Sequence, residues 1–295
     1  MNMEGYDLIK TEEWEIWGYR SCEYLGTVST PTGFEYSREH DFNKSIRKEK
    51  GFKIGRYFGD KQQVKVPAYI EGKKILGIGS VAFNDIINEH AEPCATLRSI
   101  EIAEGVKFLD EGMFEGFSNL SNIKLPDSLV YIGGRCFART AAKCIVFPKE
   151  AIYVSISCFC GCVNLESITL QEGLEYIGDD SFAGCIALKT IAIPSTVKRI
   201  CSYAFSDSGL QCVAIPEGVS QIKKQAFGNC RDLRSCVIPR SVCEIDDSAF
   251  SWYDEVINYK ELYYNNPNLT LYVYPGSYAL MWAREHGYKV ASAVL

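Results

Sequence analysis

The stretch LESITLQEGLEYIGDDSFAGC (residues 165–185) is followed by a second copy of its own pattern, LKTIAIPSTVKRICSYAFSDS (residues 188–208). The repeats share the pattern L-x-x-I-x-I-P-x-x-V-x-x-I-x-x-x-x-F. The phenylalanine that closes the pattern recurs at Phe83, Phe114, Phe137, Phe159, Phe182, Phe205, Phe227 and Phe250. These residues are 22 or 23 positions apart, except for a first interval of 31. A sustained period of this length predicts a solenoid, in which each repeat forms one coil that packs on its neighbours.

Each repeat begins with a segment that has the alternation of a short β-strand. In L-x-x-I-x-I, Ile191 and Ile193 point to one side of the strand, and Ala192 points to the other. A proline closes this segment in five repeats and ends the strand, because it has no N–H to donate. These residues are Pro126, Pro148, Pro194, Pro216 and Pro239. We predict short parallel strands with one buried and one open face, and a ladder of phenylalanine rings at about the 4.8 Å spacing of neighbouring strands.

With A-F-x-x-C at its end, the repeat resembles the BspA-type leucine-rich repeat of bacterial surface and secreted proteins, over roughly residues 52–290. The resemblance implies an α/β repeat solenoid. In detail, it implies a right-handed leucine-rich-repeat superhelix of 22–23-residue coils with short parallel strands and short helical turns. It also implies binding to proteins or cell surfaces and no enzymatic activity.

The pattern divides the chain into three parts. Residues 1–50 lie outside the repeat, and Trp14, Trp17 and Phe34 predict a folded N-terminal cap there. Residues 51–276 form the leucine-rich repeat solenoid. Residues 277–295 form a C-terminal helical cap, with a helix from about Ser277 that ends near Gly287.

Composition restricts the function and the location. The chain has 295 residues, is 47% hydrophobic and carries a net charge of −6, which argues against nucleic acid as a general partner. No apolar stretch reaches the roughly 20 residues of a membrane span. The first twenty residues lack a signal-peptide core, and thirteen cysteines cannot all pair, so we expect a cytoplasmic location. The resemblance implies the alternative, a cell-surface or secreted protein.

A cysteine cluster is the one candidate for chemistry. Cys158, Cys160, Cys162 and Cys185 are the residues that a thiol-dependent metal or redox protein would use. Cys162, Cys185 and Cys230 nevertheless share one repeat slot, three positions after phenylalanine, which favours a packing role. No C-x-x-C pair completes a zinc ligand set. We therefore assign no catalytic residue, no metal site and no cofactor.

The open face of the strands is the predicted functional surface. Its central column from the third strand onward consists of Val146, Thr169, Ala192, Ala214 and Val237. We predict a non-catalytic protein–protein interaction or adhesion module that binds its partner there. The alternative is that small and β-branched residues simply suit a parallel sheet.

A long insertion between Phe250 and Leu269 supplies further candidates for partner binding. It contains Trp252, Tyr253 and Tyr259, which are residue types enriched at binding hot spots. These aromatic residues either contact a partner or pack onto the last coil. A carbohydrate-binding surface on the tyrosines of residues 253–264 is a further alternative.

Overall fold

The computed structural model describes residues 7–19, 51–59, 61–83, 96–257 and 260–293. Within these residues the chain forms a β-solenoid of about nine coils with parallel strands and little helix. Each complete coil contributes one strand segment to each of two rows. The turns around the repeated phenylalanine, called the arc, close the coil. The 22–23-residue period predicted this architecture.

The first row carries the open face and is called the sheet-face row. Its strands are β4 (Gln63–Val66), β7 (Ser99–Ile102), β9 (Asn122–Lys124), β11 (Cys144–Val146), β13 (Ser167–Thr169), β16 (Cys212–Ala214), β18 (Ser235–Ile238), β22 (Thr270–Val273) and β23 (Lys289–Ser292). They form the parallel ladders β4-β7-β9, β11-β13 and β16-β18-β22-β23. Ala192 joins the row through an isolated parallel bridge to Ala214.

The second row lies after the strand-ending turn of each repeat. Its strands are β3 (Gly51–Tyr57), β6 (Lys73–Ile78), β8 (Phe108–Leu109), β10 (Tyr131–Ile132), β12 (Tyr153–Val154), β14 (Tyr176–Ile177), β15 (Arg199–Ile200), β17 (Gln221–Ile222) and β19 (Glu244–Ile245). These strands pair in parallel within the ladders β3-β6-β8-β10 and β12-β14-β15-β17-β19. Most have only two residues, because a proline or a turn interrupts each coil between its two strands.

The arcs around each phenylalanine consist of hydrogen-bonded turns. The residues two positions before and after Phe159, Ser157 and Gly161, have positive φ angles of 53° and 70°. The N–H groups of Ser157, Phe159 and Gly161 donate to carbonyls on the next coil, at 2.7 to 2.9 Å. Every second N–H group of this arc thus donates to the next coil. In a helix, the N–H groups would donate to carbonyls of the same helix. The helical turns expected from the sequence are not confirmed in the described coils.

The phenylalanine ladder forms the centre of the core. From Phe83 to Phe250, successive ring centroids are 5.2 to 5.6 Å apart. From Phe114 onward neighbouring rings are stacked, with interplanar angles of 3° to 15°. All eight rings are at most 2% exposed. Each ring is therefore covered by the coils on both sides of its own, so that one coil cannot bury its phenylalanine alone.

Aromatic residues cover both ends of this ladder. At the N-terminal end, β1 (Asp7–Lys10) and β2 (Trp14–Tyr19) form an antiparallel hairpin that pairs with β3. The Trp14 ring lies 6.4 Å from that of Phe83. At the other end, helix α1 (Tyr278–Glu285) begins after Ser277, whose side chain accepts from the Leu280 N–H. Its Trp282 ring lies 6.2 Å from that of Phe250.

Two further strand pairs lie outside the coil pattern. Strand β5 (Tyr69–Ile70) pairs antiparallel with β6. Strands β20 (Ser251–Ile257) and β21 (Lys260–Asn265) form an antiparallel hairpin. This hairpin occupies the long interval after Phe250, where the repeat tolerates extra residues.

Carboxylates connect the turns that follow the sheet-face strands. Glu172 accepts hydrogen bonds from the backbone N–H and the Oγ of Ser195 on the next coil. The Thr196 hydroxyl accepts from the Gly173 N–H and donates to the Leu174 carbonyl. Equivalent contacts connect Glu104 with Asp127 and Ser128, and Glu217 with Arg240 and Ser241. The turns are therefore linked in pairs, a feature that the repeat pattern did not reveal.

Candidate functional site: the exposed sheet face

The sheet-face row places the predicted binding residues in one column. Val146 is opposite Thr169, and Ala214 is opposite Val237, in parallel register. Ala192 forms its bridge to Ala214. The register is the consequence of the repeat, because a shift of one residue would turn the buried isoleucines out to solvent.

The side chains of this column reach solvent. Val146 is 58% exposed. Thr169, Ala192 and Ala214 are also exposed, and Val237 is half-buried. The strand residues between them, such as Ile145 and Ile168, are buried. The face is thus open along its length.

A second outward column lies two residues earlier on each strand. It contains Cys144, Ser167, Thr190, Cys212 and Ser235. The first four are exposed, and Ser235 is half-buried. From Cys144 to Val237 neither column contains a charged residue, so a partner could cover this part of the face without desolvating an ion.

The N-terminal end of the face is charged but internally paired. Lys65 lies 3.3 Å from a Glu101 carboxylate oxygen, and Lys124 lies 3.7 Å from the same oxygen. The Asn122 side-chain amide donates to the Ser99 hydroxyl at 3.0 Å. These contacts run along the strand-to-strand direction, and the one carboxylate is shared by the two lysines.

Tyr272 extends the column beyond the residues that the sequence pattern identified. It lies opposite Val237 in the β18–β22 pair and is 37% exposed. Leu269, Leu271 and Val273 carry the same apolar alternation as the other strands, and this was the available signal. The predicted column ended at Val237, because the long insertion after Phe250 breaks the 22–23-residue spacing.

The hairpin candidates are described only in part. Trp252 lies opposite Tyr264, and Tyr253 lies opposite Tyr263 in the β20–β21 register. Trp252 is half-buried and Tyr264 is 52% exposed. The side chain of Tyr253 and all of Tyr259 lie outside the described residues. The hairpin is not joined to the sheet-face row in the described ladders.

Three of the four candidate cysteines, Cys158, Cys162 and Cys185, are buried in the core, and Cys160 is half-buried. Cys162 and Cys185 are fully buried. Their Sγ atoms donate to the carbonyls of Phe137 and Phe159 on the preceding coil, at 3.1 and 3.3 Å. Cys230 makes the same contact with the Phe205 carbonyl, at 3.0 Å. One repeated slot thus uses the thiol as a small hydrogen-bond donor.

Burial also disfavours the thiolate form of these cysteines. It raises the pKa of Cys158 and Cys185 well above the ordinary value, and raises the pKa of Cys160 and Cys162 as well. The thiolate is the form that binds metals and attacks electrophiles. In the part of the chain that the structure describes, no group of His, Cys, Asp or Glu side chains is arranged to hold a metal ion. These observations favour packing over the redox alternative.

One comparison with known protein families identifies the repeat. The family model for the BspA-type leucine-rich repeat region matches this chain in six copies. The matches cover residues 84–211 and 152–260. Together the two matches cover more than half of the chain. No curated protein matches the chain.

Several solved structures are similar to this chain. A leucine-rich repeat protein of T. pallidum is 23% identical, with 83% of this chain and 92% of that chain covered and a TM-score of 0.45. A leucine-rich repeat protein of Bacteroides ovatus is 22% identical, with coverages of 76% and 67% and a TM-score of 0.46. A leucine-rich cell surface protein of Faecalibacterium prausnitzii is 16% identical, with coverages of 98% and 99% and a TM-score of 0.39.

The stacked coils and the open parallel face define a leucine-rich repeat protein. The chain belongs to the BspA-type leucine-rich repeat family. Membership indicates a protein-interaction or surface module, and families of this kind are generally without enzymatic activity. Among the described residues, no helix combines the length and the apolar character needed to cross a bilayer.

Proposed function

We propose that this protein is a non-catalytic interaction or adhesion module that binds a protein partner through its exposed sheet face. The supporting observation is the uncharged column of Val146, Thr169, Ala192, Ala214 and Val237 on stacked parallel strands. Solenoids use such extended faces as docking surfaces, because successive coils present side chains at a regular spacing.

The side chains of the column suit a flat contact. Ala192 and Ala214 leave the backbone of two neighbouring coils accessible to a partner. Val146 and Val237 add apolar area on either side of the alanines. Burying apolar area contributes roughly 25 cal/mol per Å², so the valines supply affinity and the alanines allow close approach.

The test is to place bulk and charge on the face without altering the core. Replacing Ala192 and Ala214 with arginine should abolish partner binding. Wild-type and variant proteins, immobilised at equal density, would be exposed to extracts of cells and extracellular matrix, and retained proteins quantified by mass spectrometry. The melting temperature should change little, because both alanines point to solvent.

Ala187→Arg is the control for an arginine placed away from the sheet face. Ala187 occupies an arc slot that Asn119, Asn164 and Asp232 fill on other coils, so this slot accepts polar side chains. The control should retain the same proteins as the wild type. Retention of the same set by the Ala192→Arg/Ala214→Arg variant would contradict binding at the sheet face.

Carbohydrate binding by the β20–β21 hairpin is a second candidate. The exposed Tyr264 and the half-buried Trp252 favour it, because aromatic side chains provide rigid contact area. Glycan-array binding that is lost on Trp252→Ala/Tyr264→Ala substitution would support this role. The sequence prediction for this candidate also included Tyr253 and Tyr259.

We also propose the organisation and the location. Residues 1–50 and 277–295 act as caps on a right-handed solenoid of residues 51–276. The contacts of Trp14 and Trp282 with the ends of the phenylalanine ladder support the capping roles. The family favours the cell surface or secretion over the cytoplasm expected from the N-terminal sequence. A membrane-impermeant maleimide that labels Cys144 on intact cells would support surface exposure, and labelling only after lysis would contradict it.

A further inference from the structure

The C-terminal end of the exposed face differs from the rest. Here β18, β22 and β23 lie side by side, with Val237, Tyr272 and Ala291 in register. Tyr274 follows β22 directly and is half-buried. The segments 234–240, 269–276 and 288–293 of these coils contain three basic residues and no acidic residue.

The three basic residues are Arg234, Arg240 and Lys289, and all are exposed. Lys289 is in register with Thr270, two residues before Tyr272 on the neighbouring strand. The Arg240 guanidinium lies 5.0 Å from the centre of the Tyr274 ring. Along the strand direction, Lys289 therefore lies before Tyr272, with its ammonium at the Pro267 carbonyl, and Arg240 lies after it, at Tyr274.

The described contacts of these cations are with backbone carbonyls and one aromatic ring. Arg240 donates to the Pro275 carbonyl at 3.2 Å, and Lys289 donates to the Pro267 carbonyl at 2.9 Å. Arg234 donates to the Arg231 carbonyl at 2.9 Å. No carboxylate of the described chain forms an ion pair with any of the three.

The carboxylate of Glu217, on the preceding coil, binds the backbone at Arg240 and not the Arg240 guanidinium. It accepts the backbone N–H groups of Arg240 and Ser241, both at 3.2 Å. At the opposite end of the face, in contrast, Lys65 and Lys124 share Glu101. A basic, tyrosine-centred patch thus remains at one end of the face in a chain whose net charge is −6.

We propose that this patch binds an acidic segment of the protein partner, with carboxylates at Arg240 and Lys289 and an apolar or aromatic side chain against Tyr272. The proposal rests on the proposed function and specifies the partner's chemistry at one end of the same surface. Charge complementarity supports it, because a guanidinium presents several N–H donors in a planar fork that matches a carboxylate. Complementary charges also accelerate association and suppress partners of the wrong sign.

The test uses a labelled random copolymer of glutamate and tyrosine as the probe, with binding to the full chain followed by fluorescence anisotropy. The Arg240→Glu/Lys289→Glu variant should bind this probe at least about tenfold more weakly than the wild type. Tyr272→Ala should also weaken binding, by about fivefold or more, as expected for an aromatic anchor. Binding by the wild type should fall as salt is raised.

Lys65→Glu/Lys124→Glu is the matched control, because it makes the same change in net charge at the opposite end of the face. It should leave probe binding within about twofold of the wild type. Melting temperatures verify folding. If the double glutamate variant does not fold, the milder Arg240→Gln/Lys289→Gln pair is measured in its place.

Equal weakening by the control and the Arg240/Lys289 variant would overturn the proposal, since it would indicate an effect of net charge alone. Absence of probe binding, or binding of sulfated dextran in its place, would also overturn it. If Ala192→Arg/Ala214→Arg abolishes partner binding while Arg240→Glu/Lys289→Glu preserves it, the acidic segment is wrong and the sheet-face function stands. A different pair of results would contradict the proposed function. In that case Arg240→Glu/Lys289→Glu no longer binds the probe, whereas Ala192→Arg/Ala214→Arg still binds the partner.

Discussion

Ser181 is a buried polar residue in a slot that otherwise holds apolar side chains. The equivalent positions on the neighbouring coils are Cys158 and Ala204, and Ser181 is 0% exposed. Its Oγ has no hydrogen-bond partner among the described residues. An unsatisfied buried hydroxyl costs about 1–3 kcal/mol. We predict that Ser181→Ala increases the free energy of unfolding by about 1 kcal/mol in urea titrations.

Ser248→Ala is the comparison variant. The Ser248 Oγ donates to an Asp246 carboxylate oxygen at 2.6 Å, so its loss should lower the free energy of unfolding. If both serine variants were destabilised alike, the Ser181 hydroxyl would be satisfied in the folded protein.

Glu172 provides a pH-dependent contribution to stability. The N–H and hydroxyl of Ser195 hydrogen-bond to its carboxylate and lower the pKa of Glu172 from the ordinary value of 4.5. Because the folded pKa is the lower one, the stabilisation is present above the unfolded value and is lost as the pH falls through the folded value. We predict that Glu172→Gln is less stable than the wild type at pH 7 and that the difference disappears in acid.

The measurement is urea unfolding of both proteins from pH 7 to pH 3. Glu166→Gln, at an exposed position on the same coil, is the control for loss of a negative charge. A Glu172→Gln deficit that stays constant across this range would contradict the carboxylate's role in linking the turns.

At the scale of the element, each coil of the repeat has the same buried slots, so one coil can be removed and its neighbours can pack on each other. Removing residues 165–187 takes out one period and joins Asn164 to Leu188, which begins the next copy of the pattern. The buried slots stay in register, so we predict a folded protein with unchanged far-UV circular dichroism per residue. Its stability should be lower, because one interface between coils is lost.

Removing residues 165–176 instead is the control. This deletion removes the sheet-face strand of the coil and joins the arc residue Asn164 to the second-row residue Ile177, so the coil loses its register with its neighbours. It should abolish cooperative unfolding. Cooperative unfolding of the half-coil deletion would show that register between coils does not determine the fold.

The sequence predicted some elements and not others, for physical reasons. The strands were predictable because L-x-x-I-x-I imposes an alternation that only a half-buried strand satisfies. The arcs were not, because Arg135 and Tyr203 adopt positive φ angles of 56° and 57° that their residue types disfavour. Hydrogen bonds between coils impose that conformation, and they depend on neighbours more than twenty residues away.

At the scale of the whole molecule, the repeat located the candidate surface but not its end. The column from Val146 to Val237 follows directly from the period. Tyr272 lies in the same column, although the hairpin inserted after Phe250 displaces it from the expected spacing. Only the parallel register of the strands reveals that Lys65 and Lys124 pair with Glu101. The same holds for Arg240, which has no ion pair among the described residues.

The distribution of thiols over the molecule provides natural probes of this surface. Burial raises the pKa of Cys201 and Cys230 to about 12, so these thiols stay protonated and unreactive in the native protein. Cys144 and Cys212 are exposed on the sheet face. Cys243 is also exposed, next to strand β19 of the second row.

The most direct test of the sheet-face account is therefore to alkylate the native protein with iodoacetamide, free and bound to its partner, and to quantify the modified peptides by mass spectrometry. A partner bound at the sheet face should protect Cys144 and Cys212 while Cys243 reacts at an unchanged rate. Protection of Cys243 with continued reaction of Cys144 and Cys212 would place the partner elsewhere on the solenoid and contradict the account.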